Sequence, residues 1–338
     1  MQFNNNTMNL QGRINLMERL GNYMQENSIE WQQVKERASH NNGWFIPAFV
    51  DTACENIYTS FLNRKLLEEW VNHYHLDDNV QMKNVGIVMA GNIPLVGFHD
   101  FLAVFIAGHK QTIKLSSKDD VLLKHIVHKL HEWEPTCREQ IIIADHLKGC
   151  DAYIATGSNN SSRYFEQYFA KYPNIIRRNR TSVAILFGDE STEELEKLSD
   201  DIHLYFGLGC RNVSKIFVPE GYDFVPLLNS FNRYRYFDDH HKYKNNNDYQ
   251  LSIILLNNIY YMTNGSTLLT ENEGFFSPIS HLYFEHYEDP KLLTKQLEQN
   301  SDIQCIIGRT HLAYGEAQQP GLFNYADGVD TMQFFWNI

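Results

Sequence analysis

Cys210, in the segment FGLGCRNVSKIFVP, has the surroundings that a nucleophilic thiol needs. Gly207 and Gly209 flank it, a helical stretch ends just before it, and an alternating strand pattern, Val213, Lys215, Phe217, begins just after it. Glycines remove side-chain bulk and permit tight backbone geometry, so a substrate carbonyl can reach both the sulfur and the neighbouring backbone N–H groups. A lone cysteine is more often a small buried hydrophobe, so Cys210 takes its meaning from the residues around it.

Three further segments could serve the same chemistry. The turn AGNIPLVG at 90 to 97 places Asn92 and Pro94 between a strand and a helix, where a cofactor phosphate could approach, though it is not a G-x-G-x-x-G and is also an ordinary turn composition. In ATGSNNSSRYF at 155 to 165, Ser158 stands just before a helix whose free N–H groups could receive a pyrophosphate, or which Ser158 simply caps. In IKLSSKDD at 113 to 120, Lys114 ends a strand where such sheets meet a nucleotide ribose, though surface lysines are common. His99, beside Asp100, is either an acid–base group or a structural histidine, and the latter is the commoner case. Arg177, Arg178 and Arg180 could bind a nucleotide or CoA phosphate, or neutralise an acidic surface. Asp238, Asp239, His240 and His241 are consecutive, do not converge on one ion, and read as a solvated face, so no metal site is expected.

Elements that could position these groups follow from periodicity. Apolar residues Ile14, Met17, Leu20 and Met24 recur at helical spacing, and residues 1 to 76 read as helices covering a larger domain. From residue 84 the pattern alternates: NVGIVMA as strand, PLVGFHDFLAVFIAG as helix, QTIKL as strand, then 119 to 133 as helix. EQIIIAD and DAYIATG follow as strands, SSRYFEQYFAKY as helix and SVAILFG as strand. Apolar strands alternating with helices predict an α/β fold with a Rossmann-type parallel sheet and a nucleotide at its carboxyl ends. After Asp189 the texture changes, and NNND at 245 to 248 suggests a surface loop. The expected division is 1–188, N-terminal helices with a cofactor-binding domain; 189–310, an α/β catalytic domain carrying the cysteine; and 311–338, a C-terminal tail.

Composition limits the alternatives. With 338 residues, 43% hydrophobic and 21% charged, the chain can bury a substantial core. A net charge of −12 and the lack of a basic stripe argue against nucleic acid. Five scattered cysteines without a C-x-x-C fit a reducing compartment. The N-terminus lacks an apolar signal core, and no apolar run reaches the roughly 18 residues of a membrane span, so a cytoplasmic protein without a membrane span is expected.

Taken together these segments resemble the aldehyde dehydrogenase superfamily, and more closely its fatty acyl-CoA reductase branch, the LuxC type of bacterial bioluminescence. The resemblance runs through residues 84 to 338 in segment order. AGNIPL is similar to the turn whose Asn donates to the oxyanion, which implies that role for Asn92. IAGHKQTIKLSSKD resembles the segment whose Lys holds the adenosine ribose, which falls on Lys114; NAD-preferring relatives carry a Glu at the position of Ser117. IATGS, with Thr156, Gly157 and Ser158, resembles the pyrophosphate turn, and GLGCRNVSKIFVP the nucleophile segment. FFSPISHLYFE resembles the Phe-Gly-Pro element near the nicotinamide, implicating Phe276, with Ser277 in place of the Gly. FNYADGVDTMQFF resembles the acyl-CoA reductase branch in particular.

Two departures carry meaning. Aldehyde dehydrogenases hold a water-activating Glu ahead of the cysteine, where this chain reads RRNRTSVAIL with Arg177 in that place. A reductase has no need of that water, because hydride consumes its acyl-enzyme. The acidic residue before the Phe-Gly-Pro element is also shifted, with Gly274 aligned and Glu273 one residue earlier. The resemblance therefore implies an NADPH-dependent oxidoreductase, with NADH possible, that reduces an acyl-CoA or acyl-protein thioester to an aldehyde. An acyl-protein synthetase or acyltransferase is a candidate partner, and a homo-oligomer is expected. Alternatives are an aldehyde dehydrogenase or acyl-phosphate reductase of the same fold, or a non-catalytic partner subunit.

Overall fold

A computed structural model describes residues 8–338, so the part of the N-terminal expectation falling on residues 1–7 lies outside the described residues. The chain divides into two units: residues up to Asn179 joined by Pro320–Ile338, and Arg180–Gln319.

The first unit opens with four helices, α1 (Leu10–Glu26), α2 (Ile29–Asn41), α3 (Pro47–Ser60) and α4 (Arg64–His73). Polar caps set three of their starts: the side chains of Asn9, Ser28 and Asn63 accept from the N–H groups of Gly12, Trp31 and Lys65, while Pro47 opens α3. Ile14, Met17, Leu20 and Met24 are all buried, as their spacing predicts. Next come β1 (Asn84–Val88), α5 (Phe98–Ile106), β2 (Lys110–Lys114), α6 (Val121–Trp133), α7 (Cys137–Gln140), β3 (Ile141–Ile143), β4 (Ala152–Thr156), α8 (Asn159–Phe169) and β5 (Asn174–Arg177). The five strands form one parallel sheet in the order β3-β2-β1-β4-β5. Helix α5 starts at Phe98 and not at Pro94, because residues 94–97 make a turn in which Leu95 takes a left-handed φ of 55°. Strand order reverses between β1 and β4, and at such a switch the loops leaving the carboxyl ends part to leave a crevice.

The second unit runs β6 (Thr181–Ile185), α9 (Thr192–His203), a 3-10 turn at Leu204–Gly207, β7 (Val213–Pro219), α10 (Phe224–Ser230), a 3-10 segment at Phe231–Asp239 and α11 (His241–Leu256). It continues with β8 (Met262–Thr263), β9 (Leu268–Glu271), β10 (His281–Tyr287), α12 (Pro290–Glu298) and β11 (Ile303–Ile307). Its sheet has the order β11-β6-β7-β10-β9-β8, parallel except for the β8–β9 pair. A capping box of Ser191 and Glu194 starts α9, which buries Leu195, Leu198 and Ile202 against a core that includes Ile216 and Leu227.

Two sequence expectations meet a different arrangement. NNND at 245 to 248 is not a surface loop but lies inside α11, because Asn247 is buried and its amide donates to the Ser266 carbonyl at 3.0 Å. The unit boundary falls at 179/180, ahead of the break expected after Gly188, because β6 pairs with β7 and β11 and not with the first sheet. Residues 320–338 belong to the first unit. There α13 (Thr331–Phe335) buries Met332 and Phe335, and Trp70 Nε1 donates to Tyr325 Oη at 2.8 Å. Tyr325 Oη donates to Tyr74 Oη at 2.9 Å, and Tyr74 Oη in turn donates to Asp330 at 2.6 Å. Among the described residues no helix is long and apolar enough to cross a membrane.

Candidate active site

The turn carrying Cys210 is built between α9 and β7. Tyr205, Phe206 and Gly207 take left-handed φ values of 57°, 57° and 72° in succession. Only glycine adopts that conformation freely, so the two aromatics carry backbone strain that their surroundings must offset. Phe206 is buried against the rings of Phe237 and His240, with centroids 4.4 and 4.5 Å away, and Tyr205 is buried too. Gly207 thus serves the conformation itself.

Asn212, which sequence reasoning passed over, ties the turn down. Its Oδ1 accepts from the Gly209 N–H at 2.8 Å, and its Nδ2 donates to the carbonyls of Asp201 and Leu204 at 3.0 and 2.9 Å. An Asn just past a glycine-flanked cysteine was the available signal, since Asn side chains satisfy nearby backbone in turns. From the sheet side, Ser182 Oγ donates to the Cys210 carbonyl and accepts from the Cys305 N–H, both at 3.1 Å. Cys54, Cys137 and Cys150 are buried, and burial pushes the Cys54 and Cys137 thiols up to about 12. Cys210 is half-buried; so is Cys305, whose sulfur lies 3.1 Å from Arg211 Nη1. A thiol must ionise and be reached to act as a nucleophile, which selects against the three buried ones.

Phe276 is exposed, in the segment between β9 and β10. That segment is anchored by Lys215, fully buried in β7, whose Nζ donates to the Glu273 carbonyl at 2.9 Å and pairs with Glu285. The ammonium lies 4.9 and 5.0 Å from the ring centroids of Phe217 and Phe275, a favourable cation–π placement. The Glu273 backbone, not its carboxylate, is therefore what the fold uses here.

In the first unit, Asn92, Lys114, Ser117, Thr156, Gly157 and Ser158 all lie at or just beyond the carboxyl ends of β1, β2 and β4. Asn92, Lys114 and Ser117 are exposed, and the Lys114 carbonyl accepts from the Met89 N–H at 3.0 Å. Ser158 caps α8, accepting from the Ser161 N–H. A Cβ on Gly157 would come within 2.9 Å of both Ser161 and Phe165, so only glycine lets the turn close on the start of α8. The start of a helix, an exposed ammonium and hydroxyls at the ends of β2 and β4 suit a phosphodiester and a sugar. The structure thus brings these six residues to one sheet end, while Cys210 and Phe276 belong to the second unit.

Other candidates have structural employment. His99 Nε2 contacts the Leu322 carbonyl at 3.0 Å, and its ring packs among Phe61, Trp70 and Tyr325. Arg177 is buried, pairs with Asp100 and donates to Thr331 Oγ1 at 3.0 Å, which removes it as a phosphate ligand. Arg178 pairs with Glu166, and His240 caps α11.

No protein-family model matches the chain, and no curated protein matches it in sequence. Its structure is similar to aldehyde dehydrogenase 21 from Physcomitrella patens, solved with the reaction product succinate: 12% identity, TM-score 0.66, covering 88% of this chain and 73% of that one. It is also similar to the aldehyde dehydrogenase KauB from Pseudomonas aeruginosa, at 11% identity and TM-score 0.62, with 89% and 72% covered. An aldehyde dehydrogenase from Bacillus cereus, solved with NAD+, gives 13% identity and TM-score 0.62, with 87% and 70% covered. The fold is the aldehyde dehydrogenase fold.

Proposed function

We propose that this chain reduces an acyl thioester, acyl-CoA or acyl-protein, to an aldehyde with a reduced nicotinamide dinucleotide as electron donor. The observation that carries the reading is the Cys210 turn: a half-buried thiol on a strained loop, tied to helix and sheet by Asn212 and Ser182, in an aldehyde dehydrogenase fold. Lys114 and Ser117 would hold the adenosine ribose, Thr156, Gly157 and Ser158 the pyrophosphate, and Phe276 the nicotinamide. Serine at 117 leaves no carboxylate to repel a 2′-phosphate, which favours NADPH at least as much as NADH. When bound, the cofactor supplies the hydride.

The Cys210 thiolate attacks the thioester carbonyl, the carbon–sulfur bond to the carrier breaks, and the carrier leaves as a thiolate that takes up a proton. In this reading the Cys210 backbone N–H would donate to the negative oxygen of this addition, and Asn92 would serve as a side-chain oxyanion donor. Breaking the bond to the Cys210 sulfur then releases the aldehyde and restores the thiolate. Arg177 is fixed by Asp100 and Thr331, so no carboxylate at that position prepares water for hydrolysis. A homo-oligomeric, cytoplasmic enzyme served by an acyl-protein synthetase or acyltransferase fits this role.

A panel of acyl-CoAs from acetyl to hexadecanoyl, each with NADPH and with NADH, tests the proposal. For at least one acyl chain, free CoA, aldehyde and oxidised cofactor should form in equal amounts. Acid in place of aldehyde, with water as the acyl acceptor, would overturn it in favour of an aldehyde-oxidising enzyme.

A further inference from the structure

Asn92 sits on a loop, and a side-chain amide can stabilise an oxyanion only if its backbone is held before the reaction begins. Residues 116–119, between β2 and α6, grip that loop on both sides of Asn92. On one side Gly91 lies against Ser116 so closely that a Cβ would fall 2.6 Å from Ser116 Oγ and 3.2 Å from Asp119 Cβ. On the other, the N–H of Leu95 donates to Asp119 Oδ2 at 2.7 Å. Leu95 is the residue forced into the left-handed region, and the Phe98 N–H that opens α5 donates to its carbonyl at 2.9 Å.

Asp119 is itself buried, and its second oxygen, Oδ1, has no hydrogen-bond partner among the described residues. Stability alone does not call for a buried carboxyl left half-satisfied, since such a group costs free energy. The grip is built into its own turn: the Asp119 N–H donates to the Ser116 carbonyl at 3.1 Å, and Ser116 Oγ accepts from the Lys118 N–H at 3.3 Å.

We infer that Asp119 is a positioning residue for the reaction, fixing the Asn92 amide through the Leu95 backbone hydrogen bond while Ser116 fixes the Gly91 side. The inference rests on the oxyanion role of Asn92 in the proposed function. It makes the 116–119 turn, which also carries Ser117 of the proposed ribose site, part of the catalytic scaffold.

A double-mutant cycle separates this from a merely structural role. With the acyl-CoA turned over fastest and its preferred cofactor, Asn92→Ala should lower kcat about a hundredfold, the loss that follows removal of one oxyanion donor. Asp119→Ala should lower kcat about tenfold with little change in KM for the cofactor. The double variant should be no slower than Asn92→Ala alone, because a residue acting only through Asn92 has nothing left to position. Asp119→Asn, which keeps an acceptor for the Leu95 N–H, should restore most of the loss. Gly91→Ala disturbs the other side of the grip without touching Asp119, and its loss should likewise vanish in the Asn92→Ala background; it gives the answer should Asp119→Ala not fold. Losses that multiply for both Asp119→Ala and Gly91→Ala, or a change confined to KM, overturn the inference while leaving the function intact. An Asn92→Ala variant with wild-type kcat overturns the assigned role of Asn92 and this inference with it.

Discussion

Two buried carboxyls, Asp119 and Asp201, respond differently to the same substitution. Burial pushes both up to about 7. An acid whose folded value exceeds its unfolded one contributes stability in acid that is lost as pH rises from about 4 through 7, where the folded carboxyl must ionise. Asp119 offers one oxygen to Leu95 and has no partner for the other among the described residues, so Asn can replace it with its oxygen toward Leu95. Asp201 uses both oxygens, accepting from Gly315 and Ala317 at 2.7 and 3.0 Å, so Asn there turns an NH2 group against an N–H. Thermal melts from pH 5 to 8 should show Asp119→Asn close to wild type in acid and above it at pH 8. Asp201→Asn should lie below wild type at pH 5 and regain ground as pH rises. An Asp119→Asn difference that does not grow with pH would contradict the burial account. None of this is visible in sequence, where nothing in KDD at 118 to 120 marks Asp119 as the buried one.

At the scale of elements, periodicity located β1 to β4, β6 and β7 because apolar residues must face a core whatever their long-range partners, but it missed the short β5 and did not place β8 to β11 individually. It did not detect α11, whose asparagines read as loop until Asn247 is seen pairing with the Ser266 carbonyl. Arg177 was legible as a departure from a catalytic position but not as what it is, a buried cation joining the end of β5 to Asp100 of α5 and Thr331 of α13. Removing one partner of such a pair leaves an uncompensated buried charge and typically costs about 3–5 kcal/mol. Urea unfolding of Arg177→Met should show a loss of that order, and Arg177→Met with Asp100→Asn a smaller loss than the two single losses summed. A change under about 1 kcal/mol for Arg177→Met would mean that the pair is replaceable by solvent.

For the whole molecule, the α/β class and the aldehyde dehydrogenase fold were legible because the Asn92, Lys114, Gly157 and Cys210 segments keep their order along the chain. The unit boundary and the return of residues 320–338 to the first unit were not, since both depend on strand pairing and ring contacts between distant segments. The same division separates Cys210 in sequence from the strand-end residues that would bind its cofactor, so the central claim rests on one thiol. Intact-mass spectrometry after incubation with the panel of acyl-CoAs, without cofactor, followed by peptide mapping, tests that claim most directly. The account predicts a single acyl adduct on Cys210, absent in Cys210→Ser and discharged as aldehyde when NADPH is added. An adduct on Cys305 or Cys54, or one that persists in Cys210→Ser, would contradict it.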